Sequence, residues 1–449
     1  MSQGPMSQGS GTSPSVDPAG PFDAIVVGAG PAGSMAAWRL ASLGRRVVLL
    51  ERGEQPGTKN LFGGMVYSLE LRRHFPDFAA SAPIERPITR HATHFLAGGR
   101  GLNMDFASER FGEAPYNGFT VFRGRFDRWL AGRATEAGAL LVPSTTVDGV
   151  IEERGRIVGV RARRAEGDLR APIVICADGV LSLIGQQAGL VRERPKAHYS
   201  LGVREVLALP AGTIEDRFQI DPGGGCAALF VGDWIGGLQG GGFLYTNRES
   251  VSAGFVAQLP SLEARRVSIT EALDAFLRRP AVRRLIQGGE RLEYGAHIVP
   301  EGGYAMRPRL VRDGMMLVGD AAGLVLAAGV IYEGVHYAMH SGVLAAEVAH
   351  EALAKGDVSA RGLADYPRRL DASYVTRNLK AFRHVPELIA NPRMYGVYPE
   401  ALCRVAEDFF AAEEQGHAKL GALLRRHFGH VPKLTALKDL WAVARAMFF

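Results

Sequence analysis

Phe22-Asp23-Ala24-Ile25-Val26-Val27-Gly28-Ala29-Gly30-Pro31-Ala32-Gly33 is the stretch that decides the fold of this 449-residue chain. The apolar run over 24–27 reads as a strand buried on both faces, and it enters a Gly-x-Gly-x-x-Gly turn followed by a helical stretch over 34–43. Strand, glycine turn and helix in that order make a cradle for a dinucleotide. Gly28 allows the tight turn, Gly30 lets backbone N–H groups approach a pyrophosphate at the helix N-terminus, and Gly33 lets helix and strand pack closely. Pro31 and Ala32 complete the turn. A second apolar strand, Arg46-Val47-Val48-Leu49-Leu50, ends on Glu51, about 20 residues downstream, where an acid that grips a ribose diol belongs.

Further out, the length predicts two or three lobes, and 47% hydrophobic with 22% charged residues is the balance of an ordinary globular protein. No apolar run reaches the length of a membrane span. Residues 1–20 are rich in Ser, Gly and Pro and lack the basic and apolar regions of a signal peptide, so they read as a disordered tail. Cys176, Cys226 and Cys403 are too far apart to encode a disulfide framework, a metal site or an iron–sulfur cluster, which predicts a cytoplasmic protein. The formal charge of +6 is concentrated at the end: between Gln415 and Phe449, Lys419, Arg425, Arg426, Lys433, Lys438 and Arg445 face a single acid, Asp439. That basic segment suits acidic lipid headgroups or an acidic partner. No module for nucleic acid accompanies it, so nucleic acid is not an expected partner.

Between the ends, residues 57–64 form a glycine-rich connection too long to be a simple link, which marks it as functional. Val121-Phe122-Arg123-Gly124-Arg125-Phe126-Asp127 opens a helix that closes near Gly138, and strands are expected over 140–142, 145–152, 156–162 and 171–177. The last of them meets Asp178-Gly179. From about 199 to 300 the pattern changes to short glycine-punctuated strands, an antiparallel β lobe inserted in the chain. The buried strand before Gly319-Asp320 returns to the first lobe, a helix follows Gly334 to about Lys355, and the chain is helical from about 363. The expected organisation is therefore a tail (1–20), a nucleotide-binding domain in two pieces (21–198 and 301–362), a β-rich lobe (199–300) and a helical C-terminal region (363–449).

Three separated pieces share one logic. The segment from Gly28 to Glu51, Asp178-Gly179 and Gly319-Asp320 each put a glycine or an acid at a strand end, where a doubly wound sheet binds its ligand. An acid after glycine, as in Gly319-Asp320, suits a ribityl hydroxyl, which FAD has and nicotinamide dinucleotides lack. The alternative for Asp178 and Asp320 is that they are turn residues.

This constellation resembles the glutathione-reductase-type flavoproteins, and within them the electron-transfer-flavoprotein:quinone oxidoreductase branch that also contains geranylgeranyl reductases. The stretches 51–60, 242–250 and 294–303, which begin Glu51-Arg52-Gly53, Gly242-Phe243-Leu244 and Tyr294-Gly295-Ala296, look like those of FixC/EtfC flavoprotein subunits. The resemblance implies an α/β, glutathione-reductase-type Rossmann fold that binds FAD. The adenine ribose would lie on Glu51, with Arg52 and Val147 nearby, and the pyrophosphate over Gly28, Gly30 and Gly33. Arg123, from an Arg-x-x-Phe-Asp pattern, and Asp320 would run along the phosphate and ribityl portion, and Arg123 would make a charge-assisted phosphate contact. Gly63, Gly64 and the Tyr332-Glu333-Gly334 turn would flank the flavin ring, and the positive end of the helix after Gly334 would favour an anionic reduced flavin. The stretch 325–332 is longer than the family pattern.

The implied activity is electron transfer from the alpha and beta subunits of an electron-transfer flavoprotein, through FAD, to a membrane quinone, in a complex associated with NADH-dependent bifurcation toward ferredoxin or flavodoxin. Self-contained members of the branch carry a C-terminal cysteine cluster that this chain lacks, so the iron–sulfur relay would sit on a separate ferredoxin-like subunit of the FixX/EtfX type. Tyr245 is a candidate hydrogen-bond donor to a quinone carbonyl, and Glu333 and His336 are candidate proton sources. At the end of the chain, Leu434, Leu437, Leu440, Trp441, Ala444 and Phe448 recur at helical spacing beside Lys433, Lys438 and Arg445. Such a helix lies on the inner face of the cytoplasmic membrane, docks a partner subunit, or packs on the protein's own body. Two other functions compete with this reading: a self-contained prenyl reductase or hydroxylase fed by NAD(P)H, and an assembly subunit whose FAD is structural.

Overall fold

The computed structural model describes residues 21–59, 64–164, 167–233, 237–329, 331–412, 414 and 416–448. Its first layer is a six-stranded sheet in the order Val311–Arg312, Met315–Leu317, Ile173–Cys176, Ala24–Val27, Val47–Leu50 and Leu140–Val142. All neighbours are parallel except the edge pair Val311–Arg312 with Met315–Leu317. The central strands are buried along their whole length, as a parallel sheet covered on both faces requires. The strand ends carrying Gly28, Glu51, Ala177 and Val318 therefore share one edge of the sheet.

Two helices are pressed together against that sheet. Pro31–Ser42 starts directly after Gly30, and Val335–Lys355 crosses it through small residues. A Cβ on Gly33 would lie 1.9 Å from the Gly28 carbonyl oxygen, and one on Gly342 would lie 2.1 Å from the Ala32 carbonyl oxygen. Glycine at both positions is thus a condition of the packing. Outside this contact, the Arg39 guanidinium and the Glu347 carboxylate pair at 2.8 Å and tie the two helices together at the surface.

The second lobe is a seven-stranded sheet in the order Glu290–Pro300, Tyr199–Ala208, Ser250–Gln258, Gly240–Thr246, Gly225–Gly232, Ile88–Ala97 and Arg100–Ala107. It is antiparallel except for the parallel pair Gly225–Gly232 with Ile88–Ala97. Side chains alternate across it. Leu244 and Ala253 face a core with Phe230, Phe255 and Phe276 under the helices 211–218, 269–278 and 280–286, whereas Tyr245 and Ser252 face the nucleotide-binding lobe. The strands 88–97 and 100–107 fall within the segment 21–198 that sequence reading gave to nucleotide binding. They are polar on much of their surface, and their partner strand lies more than a hundred residues away, so no local pattern betrays the pairing.

The C-terminal region is a set of helices, from Asp365–Ala372 through Val397–Phe410 and Leu420–Phe428 to Lys433–Met447. Tyr366 anchors it to the sheet by donating its hydroxyl to the Leu317 carbonyl (2.8 Å). The last helix is held by Asp439, which accepts from Asn391 (2.9 Å) and Arg393 (2.7 Å) and from the Tyr398 hydroxyl. These hydrogen bonds, Arg393 first, hold the Asp439 carboxyl down at about 2.

Gly342→Ala is expected to force the two crossing helices apart. We expect a loss of about 1–3 kcal/mol or more, read as a melting temperature lower by several degrees in thermal denaturation followed by circular dichroism.

Candidate active site

The turn after the first strand leaves its ligand-facing groups open. The helix at Pro31 has no side-chain cap and no acid in its first turn, so its N–H groups and the positive end of its dipole are available to an anion. Gly28 has φ +99°, and a Cβ there would meet the Ala177 carbonyl oxygen at 2.4 Å, so Gly28 and Gly33 serve the packing of turn and helix. Gly30 differs: a Cβ would meet no atom within 4 Å, and the residue lines a cavity. Its missing side chain leaves room for a ligand. At the end of the second strand, the buried Glu51 carboxylate accepts from the N–H groups of Ala29 (3.0 Å) and Gly53 (2.7 Å), which fixes it beside the turn.

The cavity, about 230 Å³, lies between the two lobes. It gathers Gly30, Pro31, Ala32, Gly64, Arg123, Tyr245, Asp320, Glu333 and Gly334, residues spread over three hundred positions of the chain. Arg123 forks onto Asp127 (2.8 and 2.9 Å), one turn along its helix, and is thereby aimed rather than solvated. Burial raises the Asp320 carboxyl against the opposing pull of Arg123 and Arg194. Gly319 has φ +63° and packs on Ala32, and its N–H donates to Ser341 (2.9 Å), which sets the Asp320 backbone at the mouth of the Val335–Lys355 helix. That helix has no acid in its first turn either and begins at Gly334, on the cavity wall. Burial pushes the Tyr245 hydroxyl up to about 12. The longer stretch noted in the sequence forms a small hairpin, Leu326–Ala327 paired with Tyr332–Glu333.

Four predicted residues stand elsewhere. Asp178 lies at a strand end, but its carboxylate accepts from the Ile184 N–H (2.8 Å) and the Cys176 thiol (3.1 Å). It holds a turn within the protein, and its neighbours Ala177 and Gly179 line the cavity instead. Val147 opens the strand Val147–Glu153 and packs against the main core, two residues after Thr145, whose N–H donates to the Glu51 carbonyl (2.7 Å). Arg52 is exposed, and its charge is felt at His297. His336 sits one layer behind the cavity wall, packed on Tyr67, Tyr337 and Tyr374. It reaches the cavity only through Glu333, 3.3 Å away. Burial works to raise the Glu333 carboxyl, but the hydrogen bond and charge of His336 outweigh it and the carboxyl is held down. Gly63 lies outside the described residues.

Sequence reading missed His297 as a member of the same wall, and it had Tyr332 only as part of the turn flanking the ring. His297 is lowered by burial and then by Arg123 and Arg52. The available signal was a lone histidine at the start of the apolar run Ile298-Val299-Pro300. A larger cleft, about 800 Å³, runs on from Arg123 between the lobes past Arg125, Arg204 and Arg248; it meets the start of the Arg123–Glu136 helix but has none of the strand-end glycines.

A family model described as an FAD binding domain matches residues 22–217, and one described as the ETF-QO/FixC family C-terminal domain matches residues 385–448. The chain is 41% identical over 418 residues to the probable electron transfer flavoprotein-quinone oxidoreductase YdiS of Escherichia coli, covering 93% of this chain and 97% of that protein. This chain belongs to the ETF-QO/FixC family. Protein FixC of Azotobacter vinelandii is 40% identical over 389 residues, covering 86% of this chain and 89% of its own length. Among solved structures, a geranylgeranyl bacteriochlorophyll reductase-like protein of Thermoplasma acidophilum superposes with a TM-score of 0.71 over 93% of this chain and 99% of that one, at 22% identity, which speaks for the fold. As a member of the ETF-QO/FixC family, the protein is an FAD-dependent oxidoreductase. The open Gly30 face, the uncapped helix starts and the buried Glu51 fit that cofactor: Glu51 would hold the adenine ribose, the 30–33 turn the pyrophosphate, and Asp320 the ribityl chain.

Two substitutions separate ligand contact from packing. Gly30→Ala touches no protein atom, so the apoprotein should melt at the wild-type temperature while FAD binds more weakly. Glu51→Gln removes the charge from its hydrogen bonds and should weaken FAD by about ten- to a hundredfold, measured by quenching of flavin fluorescence.

Proposed function

We propose that the protein accepts electrons from an electron-transfer flavoprotein and passes them as a pair to a membrane quinone. The observation that carries this reading is the character of the cavity beside the Gly334 helix start. Its lining includes Tyr245, Ile298, Val299, Pro300 and Val325, apolar surface with His297, Tyr332 and Glu333 set among it, which suits a quinone ring and its carbonyl oxygens. The names of the relatives support the same donor and acceptor.

When bound, FAD supplies the redox chemistry. The chain's own residues shape what surrounds it. The Val335–Lys355 helix points its positive end at the cavity and stabilises negative charge there. The Glu333–His336 pair keeps a charged carboxylate at the wall with an imidazole behind it, a route by which a proton reaches the acceptor. Tyr245, whose hydroxyl keeps its proton to about 12, is a donor throughout the physiological range. Cys176, Cys226 and Cys403 are buried in separate elements, so an iron–sulfur relay in this scheme sits on a ferredoxin-like partner subunit. In a bifurcating complex this chain would serve the quinone branch, with the low-potential branch on the partners.

The last helix supplies the docking surface. Leu434, Leu437, Leu440, Trp441 and Phe448 are between 60% and 79% exposed, with Lys433, Lys438 and Arg445 among them. No described helix is long and apolar enough to cross a membrane, so contact would be made along the surface, with apolar side chains in the headgroup layer and cations on acidic lipids.

Anaerobic FAD-loaded protein should stay oxidised with NADH alone, bleach when the electron-transfer flavoprotein subunits are added, and recolour with a quinone analogue. Bleaching by NADH or NADPH alone would sink the proposal in favour of a self-contained reductase. On acidic vesicles, Leu437→Asp/Trp441→Asp should lose the co-sedimentation that the wild-type protein shows; equal sedimentation would remove the membrane assignment.

A further inference from the structure

Tyr332 and Glu333 are neighbours in a two-residue strand, so their side chains leave it in opposite directions. Both residues line the cavity, yet each is backed by a different partner. Glu333 leads to His336, and the Tyr332 hydroxyl lies 2.9 Å from Glu301 Oε1. Glu301 stands just past the strand Glu290–Pro300 and is 3% exposed. Its other carboxyl oxygen accepts from the Ser200 hydroxyl, and its backbone N–H donates to the His198 carbonyl (2.8 Å). No ion pair to Glu301 is found among the described residues.

We propose that Tyr332 is a catalytic hydrogen-bond and proton donor to the electron acceptor, and that Glu301 is a positioning residue that supplies the proton Tyr332 gives up. This rests on the reading of the acceptor as a quinone. A carboxylate without a cation in so dry a place is costly, and a buried acid therefore keeps its proton. Burial does raise the Glu301 carboxyl, against the hydrogen bonds of Ser200 and Tyr332, and Tyr395 is the other titratable group that feels its charge. With Glu301 protonated, the 2.9 Å contact runs from its carboxyl to the phenol oxygen and leaves the phenol hydrogen for the cavity that Tyr332 lines.

The chemistry balances. A quinone becomes a quinol by gaining two electrons and two protons, and bound FAD supplies the electron pair. At one carbonyl oxygen a new O–H bond forms as the Tyr332 O–H bond breaks, and the phenol oxygen takes the Glu301 proton. The carboxylate left behind is held by the Ser200 hydroxyl until water, admitted as the quinol leaves, restores the proton through Tyr332. The second proton is drawn from solvent by way of the ionised Glu333 carboxylate, which passes a proton on rather than storing one. Two consecutive residues thus serve two protons by two separate routes.

The test uses the FAD-loaded protein, its electron-transfer flavoprotein and a quinone analogue, with reduction and reoxidation followed separately. Tyr332→Phe should load FAD and be reduced at the wild-type rate, but be reoxidised by the quinone about a hundredfold more slowly. In the wild-type protein, reoxidation should fall as pH rises through the raised carboxyl value of Glu301, because the acid is then empty; Glu301→Gln should be slow and lose that limb. Independently of turnover, infrared spectra at neutral pH, with and without FAD, should show a protonated-carboxyl band that Glu301→Gln removes and Tyr332→Phe shifts. Should Glu301→Gln fail to fold, Ser200→Ala takes its place and should shift the same band. Wild-type reoxidation of Tyr332→Phe, or a carboxyl band untouched by these variants, overturns the proposal alone. Wild-type protein that is reduced by the partner but never reoxidised by quinone overturns the quinone reading and this proposal with it.

Discussion

Two backbone contacts without side chains, Gly33 on the Gly28 carbonyl and Gly342 on the Ala32 carbonyl, set the distances on which the rest depends. The first draws the initial helix onto the first strand, and the second draws the long helix onto the initial one. Together they bring two helix N-termini, at Pro31 and at Val335, to the same cavity. Each start carries uncompensated N–H groups and the positive end of a dipole. A ligand that is anionic at one end and gains negative charge at the other on reduction matches that pair of fixed partial charges.

The opposite wall depends on a different constraint, the pleat of the seven-stranded sheet. Alternation sends Leu244 into the helix-covered core and Tyr245 into the cavity, and the same sheet ends in the strand that delivers His297, Pro300 and Glu301. Apolar packing on one face thereby decides which residues are available to chemistry on the other. Because the nucleotide-binding lobe is continuous with its own core and the β lobe with another, the cavity is where the two cores fail to merge.

Much of this was legible because the nucleotide-binding unit is local in sequence. Strand, Gly28, Gly30, Gly33 and Glu51 are close together, each with a distinct mechanical reason, and Gly319-Asp320 and the helix after Gly334 repeat the strand-end logic. What stayed hidden depends on contacts that period and spacing do not encode. Asp178 looks like another strand-end ligand residue, but hydrogen bonds to Ile184 and Cys176 turn its carboxylate inward. His336 follows the right turn, yet helical rotation places it behind the wall and leaves Glu333 in front. The strands 88–97 and 100–107 join a sheet whose other strands begin a hundred residues later, and Tyr332 gains meaning only from Glu301, distant in sequence and adjacent in space.

Asp439 is the lone acid of the C-terminal basic segment, and the structure spends it inward on Asn391, Arg393 and Tyr398. The outward side of the last helix is left with cations and apolar groups. Its attraction to an acidic surface is therefore of one sign and acts between exposed charges, which added salt screens within about 10 Å at 0.1 M. Its apolar grip is not screened. Ionic strength would thus separate the two components of docking, slowing the approach while leaving an already seated helix in place.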